Sequence, residues 1–204
     1  MAKSKKQEAD PIAIAMEMIA ETGWHGFSMA ELARRSGLDL DRLYTRVSGP
    51  GDVLATVGRR LDEAMLAGAP AVLDELNVRE RLFDMLMRRF EAMQPWRAAF
   101  ARLASDRVAD PSLSLRALCN LDRMAARLAD AAGIRWHGLA GRAARAGLIL
   151  AYSRSLRIWL DDDSEDMAAT MAELDRRLAG LDRAAGLAVR LRCRRRGGQA
   201  RAAA

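Results

Sequence analysis

A chain of 204 residues that is half hydrophobic and holds only five prolines can bury one good core, or a small head and a larger body. No apolar run in it reaches the roughly eighteen residues that a membrane span requires. Its net charge of +6 sits in its ends: once the six arginines from Arg190 onward and the Lys3, Lys5, Lys6 and Glu8 of residues 1–9 are set aside, residues 10–189 carry 24 basic groups against 26 acidic ones, which excludes a protein held on nucleic acid by bulk charge alone.

In chain order, residues 10–22 place Ile12, Ala15, Met16 and Ile19 at helical spacing, with Asp10 as cap and Pro11 at the first helical position. Trp24 and Phe27 are expected as core plugs of a small domain rather than ligand contacts. Ser28 can then cap a helix whose third position is Glu31, the pattern of a capping box, and Met29, Leu32 and Ala33 fall on one face of it. Gly37 can adopt the left-handed conformation of a sharp helix end, Leu38 plugs the corner, and Asp39 can cap a second helix carrying Leu40, Leu43, Tyr44 and Val47. The product is helix, tight turn, helix. From Pro50 to about residue 69 a longer helix turns Val53, Leu54, Val57, Leu61, Ala64 and Met65 inward and links head to body.

Gly23, Phe27-Ser28-Met29, Ala33, Gly37-Leu38, Leu43-Tyr44 and Asp52-Val53-Leu54 make residues 10–60 resemble the N-terminal helix-turn-helix of TetR family regulators. The resemblance implies an all-α, TetR-type fold: a three-helix DNA-binding domain, then a helical ligand-binding and dimerisation bundle. It implies double-stranded DNA, a small apolar effector or lipid, and a second copy of the chain as partners. The implied DNA-binding set is Ser28, Arg42, Tyr44, Thr45 and Arg46, with Arg42 and Thr45 on base edges and Tyr44 and Arg46 on phosphate. The chain departs from the family where an aromatic residue and a lysine usually open the fourth helix, having Val47 and Pro50 instead, so one cationic phosphate contact is gone. The bases Arg34, Arg35, Arg42 and Arg46 are also balanced by Glu31, Asp39, Asp41 and Asp52. A flexible arm carrying Lys3, Lys5 and Lys6, and dimerisation, would offset that neutrality.

After Gly68-Ala69-Pro70 the pattern restarts with a capping box, Asn77 and Glu80, and a stripe of Leu82, Phe83, Leu86, Met87, Phe90 and Met93 that ends at Gln94-Pro95. Phe83, Met87, Phe90, Met93, Trp96 and Leu121 are the candidate ligand-binding residues, because methionine and aromatic side chains make adaptable apolar walls; bundle core is the plainer account of the same stripe. A helix follows from Trp96 to about residue 106. Another starts at Asp110-Pro111, with Leu118, Leu121, Ala125 and Leu128 on one face until Gly133.

Residues 136–160 predict a long helix rich in small residues. Glycine costs about 1 kcal/mol inside a helix, so Gly141 and Gly147 call for close packing, and Ala143, Gly147 and Leu150 are expected near a two-fold dimer seam built with the next helix, residues 163–178. The acids from Asp161 to Asp166 suit a helix start, where the macrodipole favours them; a calcium loop is the sharper alternative, but the spacing and the missing glycine do not fit it. The run from Tyr152 through Trp159 to Asp166, continued from Thr170 to Leu178, is similar to the C-terminal signature of the lipid-binding accessory proteins of coenzyme Q biosynthesis. That family is built on a TetR-type fold, and the resemblance, over residues 80–180, implies a helix-turn-helix that no longer reads DNA.

In the tail, Leu181, Ala184, Ala188 and Leu191 keep an apolar stripe beside Arg183, Arg190, Arg192, Arg194, Arg195 and Arg196. Such a segment can lie on an anionic membrane as a peripheral contact, hug phosphates, or remain solvated. The expected organisation is therefore a basic arm (1–9), a DNA-binding domain (10–55), a ligand-binding and dimerisation domain (56–180) and a basic tail (181–204).

Cys119 and Cys193 suggest two reduced thiols, and His25 and His137 lack partners at ligand spacing. No nucleophile motif, glycine-rich phosphate loop or carboxylate pair stands in a recognisable setting, so neither catalysis nor a cofactor or metal is expected. MAKSKKQEAD lacks a signal-peptide core, which makes the cytoplasm the expected compartment. Two functions stand: a dimeric transcriptional regulator, or a lipid- or isoprenoid-binding accessory protein of ubiquinone biosynthesis.

Overall fold

The computed structural model describes residues 10–68, 76–134 and 138–202, with side chains as far as Ala185. The expected lysine arm, Pro70, Trp136 and His137 lie outside the described residues, as do the side chains of the arginine-rich tail. Helices run in the order α1 (Pro11–Thr22), α2 (Met29–Ser36), α3 (Leu40–Arg46), α4 (Pro50–Leu66), α5 (Val78–Met93), a 3-10 turn (Gln94–Trp96), α6 (Arg97–Asp106), α7 (Pro111–Ala131), α8 (Gly138–Leu160) and α9 (Ala168–Ala202). There is no strand among the described residues, as expected of an all-α chain. Two compact units emerge: Met1–Ala67 with Arg88–Met124, and Gly68–Met87 with Ala125–Ala204.

In the first unit α1 starts as its sequence requires, with Pro11 at the first position and Asp10 accepting a bond from the Ile12 amide at 3.1 Å. Arg60 of α4 donates to both oxygens of the same carboxylate, so the cap also ties α1 to α4. Ile12, Ala15, Met16 and Ile19 are buried as expected, together with Met18. The chain leaves α1 through Gly23, whose φ of +76° suits glycine, and the next amide, of Trp24, donates to Asp106 at the end of α6 at 2.6 Å. Trp24 and Phe27 stack on each other, ring centroids 6.0 Å apart; both are only half-buried, so they cover the corner rather than plug it. Deeper inside, Asp62 of α4 accepts from Arg89 of α5 at 2.5 Å and from Arg123 of α7 at 3.2 Å.

The second unit is built on α8 and α9. Leu148, Ala151, Tyr152, Ser155 and Trp159 of α8 are buried at helical spacing, and so are Thr170, Leu174 and Leu178 of α9. The capping box at the start of α5 forms in full: the Glu80 amide donates to Asn77 Oδ1 at 3.1 Å and the Asn77 amide to Glu80 Oε2 at 3.0 Å. The acidic run before α9 folds around one carboxylate. Asp162 accepts the Ser164 hydroxyl at 2.5 Å and amide at 3.3 Å, and the Thr170 hydroxyl at 2.6 Å and amide at 2.8 Å. Helix α9 then continues past Gly180 to Ala202 without a break in its backbone.

Candidate functional site

The helix-turn-helix forms where the sequence places it. The Ser28 hydroxyl accepts from the Glu31 amide at 3.3 Å, and α2 ends at Gly37 in the left-handed region, φ +67°, with the Leu38 amide returning to the Ala33 carbonyl at 3.1 Å. Two details depart from expectation. The return half of the Ser28 capping box is not made, because Arg34 holds the Glu31 carboxylate at 2.6 and 2.7 Å and Arg35 holds it at 2.9 Å. Asp39 stands at the start of α3 but makes no side-chain cap bond.

Helix α3 buries only Leu43, and Val47 closes the core just behind it. Arg42, Tyr44, Thr45 and Arg46 all face solvent, and so does Leu40, which the spacing had placed with the inward residues. Tyr44 is 48% exposed. The Thr45 hydroxyl donates to the Arg42 carbonyl at 2.7 Å, which leaves its oxygen lone pairs outward. Arg42 makes no side-chain hydrogen bond or ion pair among the described residues. Arg46 rims a small cleft shared with Asp10, Thr56 and Arg60.

Electrostatics separate the two helices of the motif. On α2, Arg34 and Arg35 hold the Glu31 carboxyl down to about 2, and Arg35 also reaches Glu21 at 2.7 Å, so these cations are already paired. At the start of α4, Asp52 accepts the Ser48 amide at 2.9 Å, and this bond, more than Arg59 beside it, lowers its pKa. Pro50 takes the first helical position, as expected, and projects no charge.

The six candidate ligand-binding residues fall on both units. Phe83 and Met87 belong to the second unit; Phe90, Met93, Trp96 and Leu121 belong to the first. Phe90 and Met93 are fully buried packing, and none of the six lines either of the two clefts on the first unit. The larger cleft, about 460 Å³, lies instead between α4 and α7, where Gly51 and Ala55 face Arg116, Asn120 and Arg123. Sequence reasoning missed it. The available signal was small residues at Gly51, Ala55 and Gly58 on one face of α4, and polar residues at Arg116, Asn120 and Arg123 on one face of α7. Leu118, expected inside α7, is 54% exposed, while Met124, Ala125 and Leu128 are buried.

Of the expected seam residues, Ala143 is exposed and Leu150 is 64% exposed, on the stripe that also carries Leu139. Gly147 faces its own chain: a Cβ there would lie 2.6 Å from Leu181 Cδ2, so this glycine serves the approach of α9 to α8. Among the described residues no group of three His, Cys, Asp or Glu could hold a metal, and no helix is long and apolar enough to cross a membrane.

Residues 116–185 match the COQ9 family model, less than half of the chain. No curated protein sequence matches it. Among solved structures it is similar to a TetR transcriptional regulator from Nitrosomonas europaea, at 20% identity and a TM-score of 0.69 over 85% of this chain and 97% of that one. It is also similar to a TetR regulator from Rhodococcus sp. RHA1 (17% identity, TM-score 0.59, 84% and 93% covered). A third is FadR from Bacillus subtilis, solved in complex with stearoyl-CoA (18% identity, TM-score 0.54, 83% and 97% covered). The chain has a TetR-type fold with a COQ9-like region.

Proposed function

We propose that this protein is a dimeric DNA-binding regulator, a repressor of TetR type without catalytic activity, whose state is set by a small ligand with an apolar part. The observation that carries this is α3, a helix anchored by Leu43 and Val47 that offers Arg42, Tyr44, Thr45 and Arg46 to solvent from a motif whose Gly37 turn and Ser28 cap are formed. A surface helix held so firmly while exposing its outer side chains is suited to a major groove, with Arg42 and Thr45 toward base edges and Tyr44 and Arg46 toward phosphates. The exposed stripe of Leu139, Ala143 and Leu150 on α8 is the surface for a second copy, which would set two such helices on a symmetric operator. The stearoyl-CoA bound to FadR is the kind of ligand the apolar part suggests.

Selection of genomic fragments across a salt series tests the proposal: specific sites should emerge whose affinity falls as salt rises. R42A should weaken them by about 1–3 kcal/mol if Arg42 reads a guanine. Absence of any selected fragment at low salt overturns it. Replacing Leu150 with Glu should yield monomers in sedimentation, and a wild type that is monomeric at micromolar concentration removes the dimer.

A second reading, a lipid- or isoprenoid-binding accessory protein of ubiquinone biosynthesis, is favoured by the COQ9 match and by the pairing of Arg34 and Arg35 with Glu31. It requires the tail to meet a bilayer. Full-length protein would then float with anionic vesicles, and a chain ending at Ala185, which keeps Leu181 against Gly147, would not.

A further inference from the structure

We propose that the end of α9, from about position 190 to Ala202, is a phosphate-binding helix that seats in the major groove of duplex DNA without reading its sequence. That this duplex is the flank of an operator rests on the regulator reading above; the binding itself does not.

Helices α8 and α9 are joined by a short turn and pack antiparallel, with Leu181 of α9 against Gly147 of α8. Gly138, the first residue of α8, lies nine positions before Gly147 and is therefore level with about position 190 of α9. The backbone of α9 continues for about twelve residues more, an overhang of about 18 Å at 1.5 Å per residue. Along the packed length the inward line runs through Leu174, Leu178 and Leu181, the first two of them buried. In the sequence the same heptad line passes on through Ala185 and Ala188 to Arg192, so it changes from aliphatic to charged where α8 runs out. The apolar stripe of the tail stops at the same level, with Leu191.

What the overhang carries is charge. The chain holds no acid after Asp182, and Arg192, Arg194, Arg195, Arg196 and Arg201 all belong to the overhang. At 3.6 residues per turn, positions 190, 194 and 201 fall on one line of the helix and positions 192, 195 and 196 on the opposite side. A bilayer surface takes a helix with one basic and one apolar side, and this stretch has two basic sides. A major groove, about 12 Å wide and walled on either side by a phosphate backbone, takes a helix that is cationic on both. Arg190 with Arg194, and Arg192 with Arg195 and Arg196, are also like charges three or four positions apart, which destabilises a helix standing alone. No acid in the overhang relieves that repulsion, whereas two rows of phosphates would. The major groove of double-stranded RNA is too deep and narrow to be entered in this way, which selects DNA.

The test titrates the full-length chain with a random-sequence DNA duplex across a salt series. A variant carrying R190Q, R192Q, R194Q, R195Q, R196Q and R201Q removes the charge and keeps residues of good helix propensity, so the fold is retained. Its affinity at low salt should fall about tenfold or more, and the slope of log affinity against log salt should drop by about 0.9 for each arginine that had met a phosphate. Lysine at the same six positions should retain most of both, since the contact is one of charge. A chain ending at Ala185 should behave as the glutamine variant does. On selected fragments the loss should be uniform, leaving their ranking to α3.

Affinity and salt slope that are the same in the glutamine variant as in the wild type overturn the proposal. So does a variant that no longer floats with anionic vesicles while its DNA slope is unchanged, which would make the tail a membrane contact. Double-stranded RNA that competes as well as double-stranded DNA removes the groove. In R42A the random duplex should still be bound through the tail while selected sites weaken. If no site is ever selected and the glutamine variant still loses its slope, the tail stands and the regulator reading falls; if sites are selected and the slope is unmoved, the regulator stands and the tail falls.

Discussion

Asp62 and Asp162 are both withdrawn almost wholly from water, one in each unit, and they are held by opposite means. Asp62 is clasped by two guanidiniums, from Arg89 and Arg123, brought in by two other helices. Asp162 is held from close along the chain: hydroxyls and amides of Ser164 and Thr170, all within eight residues, donate to it. The difference teaches what each carboxylate does for its unit. Asp62 neutralises charge that the fold has already buried, whereas Asp162 shapes a turn and starts a helix. Removing the first should therefore expose an electrostatic cost, and removing the second chiefly a loss of local bonds.

The largest expected effect follows from that contrast. D62A removes the buried carboxylate that holds Arg89 and Arg123 and should cost about 3–5 kcal/mol in chemical denaturation. A loss below that of D162A would break the comparison. D162A should cost about 1–3 kcal/mol, because the Thr170 and Ser164 donors lose their acceptor in a site that is largely dry. G147L, which drives a side chain into Leu181, should cost a similar amount, about 1–3 kcal/mol, by overpacking the seam of α8 and α9.

Acid sharpens the comparison further. Burial alone would raise the Asp162 carboxyl, but the bonds from Ser164 and Thr170 outweigh it and hold the pKa near 2, below the ordinary 3.8. The unfolded chain therefore takes up this proton first as pH falls. The stability that Asp162 contributes is complete above about pH 4 and is lost as the pH drops through about 2. Near-ultraviolet signal from the fully buried Trp159, compared between wild type and D162N, should isolate this loss from that of Asp10 and Asp52, whose lowered pKa values also oppose acid. Identical acid transitions in the two proteins would remove Asp162 as the cause.

The smallest effect on stability is expected at a third carboxylate, Glu31, which lies on the surface. E31Q should leave the melting temperature unchanged, yet it releases Arg34 and leaves Arg35 to Glu21, and should raise non-specific DNA affinity and steepen its salt dependence. Unchanged affinity would mean that those arginines do not face the duplex.

Much of the helix-turn-helix and of the helix ends beyond it was legible in the residues. Asp10-Pro11, Ser28, Gly37, Asn77 with Glu80, and Asp110-Pro111 mark helix ends through bonds that span two to five positions, and each mark is found in the structure. The outward set of α3 followed from the anchoring of Leu43, though spacing misassigned Leu40, because a seven-residue helix has room for a single buried position. The ligand stripe was less legible: aromatic and methionine residues at helical spacing describe a core as well as a pocket, and periodicity contains nothing that distinguishes the two. Gly147 was readable as a close approach but not as an approach to its own chain.

The sequence by itself determined the order of the helices, their caps and the class of fold, since those are settled by neighbours within one or two turns. Only the tertiary structure decided which polar groups meet. Asp62 finds its arginines 27 and 61 positions away, and Arg116 comes to rest on Gly51. Such pairings depend on how helices are set against one another, and local spacing cannot carry that information because any exposed arginine is equally content in water.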